Sequence, residues 1–329
     1  MTEFVFVTLK DIHISDRNPR SRIDNYKESI LDKLRQAGMA CRKLNADGAL
    51  IAGDLFNLKS PSRNSHRLNQ DLIKVFREYE CPIYMIEGNH DITKNQLESI
   101  EEQPLGVLFA DKTLIQLREQ IVEKNGVKIS LVGIPYTEDL ELSSLKIPSK
   151  EGCASQICLM HIYSGPKAGS FFKERLYGYD ELVNLGPNIF VLGHYHIDQG
   201  VQTLDGKFFV NLGSISRGAI STEDTAHHPS LGLITIGVKD GGAVDYRLQY
   251  VKLKVKPVAE VFDMERRKEE EAEAQEIENF VTKLVEESGE IQVEDREKGF
   301  EEAVKDMDIT KAVRDKVFHF IQEAAVKPK

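Results

Sequence analysis

Five short clusters along the 329-residue chain carry side chains able to hold metal ions. They are Asp11-Ile12-His13, Gly53-Asp54, Gly88-Asn89-His90-Asp91, the isolated His161, and Gly193-His194-Tyr195-His196. Five of the nine histidines fall in them, a concentration that random placement would not produce. Carboxylates mixed with neutral imidazoles suit Mn²⁺, Fe²⁺ or Zn²⁺ far better than Ca²⁺. Asp11, His13, Asp54, Asn89, His161, His194 and His196 are too many ligands for one ion. Two ions sharing a carboxylate can use them all. Such a pair, about 3.5–4 Å apart, clamps a phosphate, makes hydroxide available near neutral pH and stabilises the leaving oxygen. Any one cluster alone reads as an ordinary polar turn. The ordered set points to two-metal hydrolysis of a phosphate ester.

The clusters stand where strands are expected to end, and groups beyond the carboxyl ends of neighbouring strands converge in space. Phe4 to Leu9 reads as a buried strand, Ala49 to Ala52 as a second and Pro82 to Ile86 as a third. Between them, Asn25 to Leu44 reads as a helix with Ile30, Leu31 and Leu34 on one face and Asp24 as its cap. Ser65 to Glu80 reads as a second helix, with Leu68, Leu72, Ile73 and Phe76 turned inward. Later strands are expected at Val127 to Ile134, Ile157 to Met160, Ile189 to Leu192, Lys207 to Asn211, Leu231 to Val238 and Val244 to Leu253. Early crossover helices and late hairpin-like strands predict an α/β fold, a four-layer αββα sandwich of two mixed sheets with helices outside. The glycines before Asp54, Asn89 and His194 are expected to permit tight turns.

Composition shifts near Pro257, which divides the chain into a catalytic domain, 1–255, and an acidic helical C-terminal module, 256–329. In that module Arg266 to Glu278 is a charged run of high helix propensity. Ile277, Phe280, Val281, Leu284 and Val285 follow as one helical face, and Val313, Val317, Phe320 and Ile321 as another.

The ordered motifs resemble the calcineurin-like metallophosphoesterase superfamily over residues 11–196. The resemblance implies one ion on Asp11, His13 and His196, a second on Asn89, His161 and His194, and Asp54 bridging them. It implies that His90 acts over the phosphate as a cation or general acid, with Asp91 orienting it. Gly53-Asp54-Leu55-Phe56 followed by Ser60-Pro61-Ser62, together with the extended loop Ser15 to Arg22, resembles the SbcD branch of DNA-repair nucleases. That branch implies Mn²⁺ activation, DNA as substrate and an SMC-like coiled-coil ATPase (SbcC-like) as partner. Members often carry His or Asp where this chain has Asn57, which bears on how DNA enters the site. About 70 residues after Pro257 leave room for an abbreviated cap or ATPase clasp.

The net charge of −10 is concentrated in the tail, where 21 acidic and 12 basic residues follow Pro257. The nearly neutral body is therefore the part expected to meet DNA, and the acidic tail to meet solvent or protein. Arg17, Arg20 and Arg22 beside the first motif, and Lys167, Lys173 and Arg175 among Phe171, Phe172 and Tyr177, are the candidate DNA contacts. Each set has a bland alternative, a solvated loop for the first and a packed flap for the second. His66, His227, His228 and His319 match no motif. The four cysteines form no CxxC pair, the N-terminus lacks a secretory pattern and no apolar run could span a bilayer, so a cytoplasmic protein is expected. A homodimer is one further possible assembly. Two other functions fit the same residues: a small-substrate phosphodiesterase or phosphatase, and a DNA-end-binding scaffold with an idle site.

Overall fold

The computed structural model describes residues 1–265 and 268, apart from 20, 21, 94, 95, 139, 172, 173 and 219–224. The chain divides into two compact units, Met1–Phe262 and Asp263–Lys329. The first extends past residue 255 because a helical turn, Val258–Val261, places Phe262 in a β-bridge with Arg22. The helical faces expected around Phe280 and Phe320 lie outside the described residues, as do Arg266, Arg267 and all of 269–329.

Two six-stranded sheets form the body. The first contains β1 (Thr2–Leu9), β2 (Gly48–Ala52), β3 (Ile83–Ile86) and β4 (Ile115–Gln116), all parallel. Antiparallel β14 (Ser230–Val238) and β15 (Val244–Lys252) continue it beyond β1. The second sheet has β6 (Val127–Ile134), β7 (Ser155–Ile162), β11 (Ile189–His194) and β13 (Lys207–Leu212) parallel at its centre. Antiparallel β5 (Glu119–Lys124) and β12 (Asp198–Leu204) form its edges. Every residue of β2, β3 and β7 is buried, as expected for parallel strands covered on both faces.

Period-two alternation decides which layer each side chain enters. Phe4, Phe6, Leu50, Ala52, Ile157 and Leu159 meet between the sheets. Their neighbours Val7, Leu9, Ala49 and Ile51 face outward, under α1 (Tyr26–Leu44), α2 (His66–Arg77) and α3 (Pro104–Ala110). On the opposite side, Cys158, Met160, Phe190 and Leu192 form a third core. Its cover is thin. A single turn, α4 (Tyr179–Leu182), supplies Tyr179, which stacks on Phe209 at 4.5 Å, and Phe209 stacks on Phe190 at 5.1 Å. The fourth layer of the sandwich is thus mostly irregular chain.

Helix ends follow side-chain chemistry. Ser65 caps α2 by accepting from the Leu68 N–H at 3.1 Å. Asn25, rather than the expected Asp24, caps α1, accepting from Glu28 N–H at 3.2 Å. Asp24 turns inward to a buried arginine instead. The edge strands β5 and β12 escaped sequence reading because they carry polar residues in place of an apolar run.

Candidate metal centre

The first motif sits directly beyond β1 and the second beyond β2, and backbone pairing carries on past both strand ends. Ile12 N–H and His13 N–H both donate to Asp54 O, at 2.8 and 3.0 Å, and Ile14 N–H donates to Leu55 O at 2.8 Å. This locks the two loops into left-handed conformations: φ is +47° at Asp11, +48° at His13 and +55° at Asp54. His194 at the end of β11 is left-handed too, at +79°. Such backbone costs of order 1–3 kcal/mol per residue and persists where surrounding structure over-determines it. Here each strained residue bears a candidate ligand.

These side chains converge in two groups that share one carboxylate. Asp11, His13, Asp54 and His196 form one, and Asp54, His161 and His194 the other, with candidate ligand atoms in each within 4.8 Å of one another. Asp54 Oδ2 lies 3.5 Å from His13 Nε2 and 3.4 Å from His161 Nε2. Asn89 Oδ1 lies 3.2 Å from His161 Nε2, and His13 Nε2 lies 3.0 Å from His196 Nε2. The structure therefore brings all seven candidate ligands expected from the sequence together.

The donor set fits a pair of divalent ions. Asp54 Oδ2 is buried yet accepts no hydrogen bond, an expensive state for a carboxylate that a cation would relieve. Its other oxygen accepts from His90 N–H at 2.8 Å, and Asp11 Oδ1 accepts from His194 N–H at 3.0 Å. His161 Nδ1 is 2.8 Å from Ala52 O, so Nδ1–H donates there and Nε2 faces the centre. That carbonyl fixes the ring as metal-binding histidines require.

Electrostatics follow from burial and crowding. Burial works to raise the Asp54 carboxyl, but His161 and His13 beside it hold it well below the usual carboxylate range. Burial likewise opposes ionised Asp11, while Lys10, His196 and His161 hold it low. Lys10 is buried, with Nζ 3.0 Å from Asp11 Oδ2 and donating to Tyr195 O and Asn211 Oδ1, both at 2.7 Å. It ties the first motif to the last. Burial pushes His13 down to about 3, leaving a neutral imidazole. For His161 burial also favours the neutral ring, but the charge of Asp54, 3.4 Å away, wins and raises it to about 9.

Three expectations need correction. Asp91 does not orient His90. Its carboxylate accepts from the Leu55, Phe56 and Gly88 N–H groups at 3.1, 3.2 and 3.0 Å, pinning the Asp54 loop to the Asn89 loop. Burial, then the charge of Asp54, pushes Asp91 up to about 7. His90 is oriented by the Asn57 carbonyl, 2.9 Å from its Nδ1. Second, only Gly53 serves a left-handed turn, at φ +86°. Gly88 and Gly193 are needed for close approach: a Cβ at Gly88 would lie 2.0 Å from Asp54 Oδ1, and one at Gly193 2.0 Å from Ala52 O. Third, Arg22 is no surface contact for DNA. It is 6% exposed and bidentate to Asp24 at 2.7 and 2.8 Å. Its remaining nitrogen donates to Arg217 O at 2.7 Å.

Of the other basic candidates, Arg17 and Lys167 are exposed, and Arg20 and Lys173 lie outside the described residues. Arg175 pairs with Glu181 and lies over the Tyr177 ring at 4.7 Å. Sequence reasoning missed Lys10, Tyr136, Tyr163 and Glu174. Glu174 Oε1 lies 2.7 Å from His194 Nε2, and the Tyr136 and Tyr163 rings flank His194 at 5.4 and 5.9 Å. A lysine ending an apolar strand directly before Asp11 was the one available signal; the others come from distant segments.

The profile of calcineurin-like phosphoesterases matches residues 11–198, which hold all seven candidate ligands and His90. The chain belongs to that family. Among curated relatives of this phosphoesterase, the DNA double-strand break repair protein Mre11 of Methanocaldococcus jannaschii is 26% identical over 132 residues, 40% of this chain and 34% of that one. Mre11 of Saccharolobus solfataricus is 24% identical over 269 residues, 73% and 67% of the two chains. The uncharacterized metallophosphoesterase YhaO of Bacillus subtilis is 24% identical over 207 residues, 60% and 49%. The chain thus spans about a third of the first of these relatives and half of YhaO. A solved Staphylococcus aureus structure with a provisional 5′-nucleotidase name shares the fold at TM-score 0.53 and 13% identity, over 80% of this chain and 56% of that one. The four cysteines are free, and no described helix is long and apolar enough to cross a membrane.

Proposed function

We propose that this metal-dependent phosphoesterase is a DNA nuclease of the SbcD kind, hydrolysing phosphodiester bonds at DNA ends with two Mn²⁺ ions. The observation that carries the two-ion reading is Asp54 Oδ2, buried without a hydrogen bond between His13 and His161. DNA as substrate is supported by the Mre11 relatives and by the exposed basic residues Arg17, Lys167 and Arg175, the last of them lining the cavity beside His161. An SMC-like ATPase as partner rests on the SbcD resemblance alone.

Asp11, His13 and His196 would hold one ion, Asn89, His161 and His194 the other, and Asp54 would serve both. The ions supply Lewis acidity toward a phosphate and lower the pKa of water to roughly 7. The chain does the rest. Asn57 O accepts from His90 Nδ1–H, so the His90 proton available for transfer sits on Nε2. From there His90 neutralises charge on the phosphate or protonates the leaving oxygen. Asp91 keeps the Asp54 and Asn89 loops at fixed separation, and Lys10 does the same for the Asp11 and His194–His196 segments.

Cleavage of labelled single-stranded, blunt and hairpin DNA with Mn²⁺ tests the proposal. His90→Ala is expected to keep metal binding and lose about 10²–10⁴-fold in rate. A cavity of 230 Å³ beside His161 favours a second reading, hydrolysis of a small phosphate ester. Rapid turnover of a small diester with every DNA left intact would establish that reading over the first.

A further inference from the structure

The cavity beside His161 has chemistry of its own. Its walls include the rings of Tyr136, Tyr163 and Tyr177, with Leu140 as an apolar patch and Glu174 and Arg175 at the mouth. It adjoins the half of the centre that would hold the ion on Asn89, His161 and His194. The Tyr136 ring is 6.2 Å from His161 and 5.4 Å from His194, and Tyr163 packs edge-on against His194 at 5.9 Å.

We infer that this cavity is a subsite for one nucleobase, the base of the nucleoside bonded to the reacting phosphate. The inference deepens the phosphodiesterase reading and rests on it. A phosphate held by ions on these residues would carry its sugar and base one nucleoside length away, and the Tyr136 ring lies 6.2 Å from that of His161. Flat aromatic faces bind bases of any sequence by stacking, as a nuclease without sequence preference needs. Arg175 lies over the Tyr177 ring at 4.7 Å and covers that face, so its guanidinium, paired with Glu181, is the plane presented there. At about 230 Å³ the cavity is below the roughly 300 Å³ where sites for drug-sized ligands begin. It suits one ring system.

Charge selects between a base and a second phosphate. Glu174, with its carboxylate 2.7 Å from His194 Nε2, stands at the mouth, and Glu138 lines the same space. Their negative charge disfavours a second phosphate there, whereas a neutral base meets no such repulsion. The hairpin of β9 (Gly169–Phe171) and β10 (Glu174–Gly178) carries Glu174, Arg175 and Tyr177 on one strand. A single hairpin after His161 thereby furnishes three of its lining residues.

The test compares oligonucleotides bearing a normal or an abasic residue on each side of the cleaved bond, with the Mn²⁺-loaded protein. Removing the base on one side only is expected to lower kcat/KM about tenfold or more, the scale of one lost stacking contact. Tyr136→Leu and Tyr163→Leu are expected to abolish that preference, and Tyr163→Phe to retain it, with thermal melting reporting that each variant folds. Equal cleavage of base-bearing and abasic substrates by the unaltered protein overturns the inference. So does a preference that survives both leucine variants. If no DNA is cleaved, calorimetry with a nucleoside monophosphate against deoxyribose 5-phosphate decides separately: about tenfold tighter nucleotide binding, lost in Tyr163→Leu, upholds the subsite, and equal binding refutes it.

Discussion

Protons and metal ions compete for His161, and the structure sets the terms. Asp54 holds the His161 imidazolium to about 9 although burial opposes it. An ion can use His161 Nε2 only after that proton leaves. At pH 8 the ring is about nine-tenths protonated, so apparent affinity at its half of the centre is reduced about tenfold, or about 1.4 kcal/mol. Each unit below that costs a further factor of about ten. An ordinary histidine titrates near 6.5 and is about 90% neutral at pH 7.5, so it contributes little above that point. His13, pushed down to about 3, contributes nothing there. Between pH 7.5 and 8.5 the Mn²⁺ dissociation constant is therefore expected to tighten close to tenfold, with affinity rising until about pH 9. Titration calorimetry in two buffers of different ionisation enthalpy should count about one proton released per protein across that window. A flat dissociation constant with no proton released would refute the Asp54–His161 electrostatics.

Asp91→Asn places an amide donor against Gly88 N–H or Leu55 N–H, and is expected to cost about 1–3 kcal/mol of stability, read as a lowered Tm. Gly88→Ala drives a methyl into Asp54 Oδ1, so elemental analysis should find fewer than two bound ions in a protein that still melts cooperatively. Arg22→Ala abandons buried Asp24 and is expected to destabilise by about 3–5 kcal/mol in urea melts, whereas Arg17→Ala should leave stability intact and weaken DNA binding in a salt-dependent way.

The candidate ligand set was legible because each candidate lies at or shortly beyond the end of a strand, and strand ends are local events. Buried parallel strands write themselves as apolar runs, so Ile157–Met160 or Ile189–Leu192 announce both an element and the position of the residue after it. The polar edge strands β5 and β12 write nothing comparable and stayed hidden, whereas the edge strand β15 alternates apolar residues and was legible. Arg22, a polar residue in a polar loop, carries no mark of the buried Asp24 that claims it two positions on.

Residue type and order along the chain determined which side chains are able to bind cations, since coordination chemistry is a property of the side chains themselves. Tertiary structure decided everything that depends on which distant group lies beside which. It put Lys10 against Tyr195 and Asn211, gave Asp91 to the backbone of Leu55 and Phe56, and stood Glu174 beside His194. It also forced Asp11, His13, Asp54 and His194 into left-handed backbone that their own preferences oppose. Those contacts join segments as far as 201 residues apart, and only the packing of two sheets brings them within reach of a hydrogen bond.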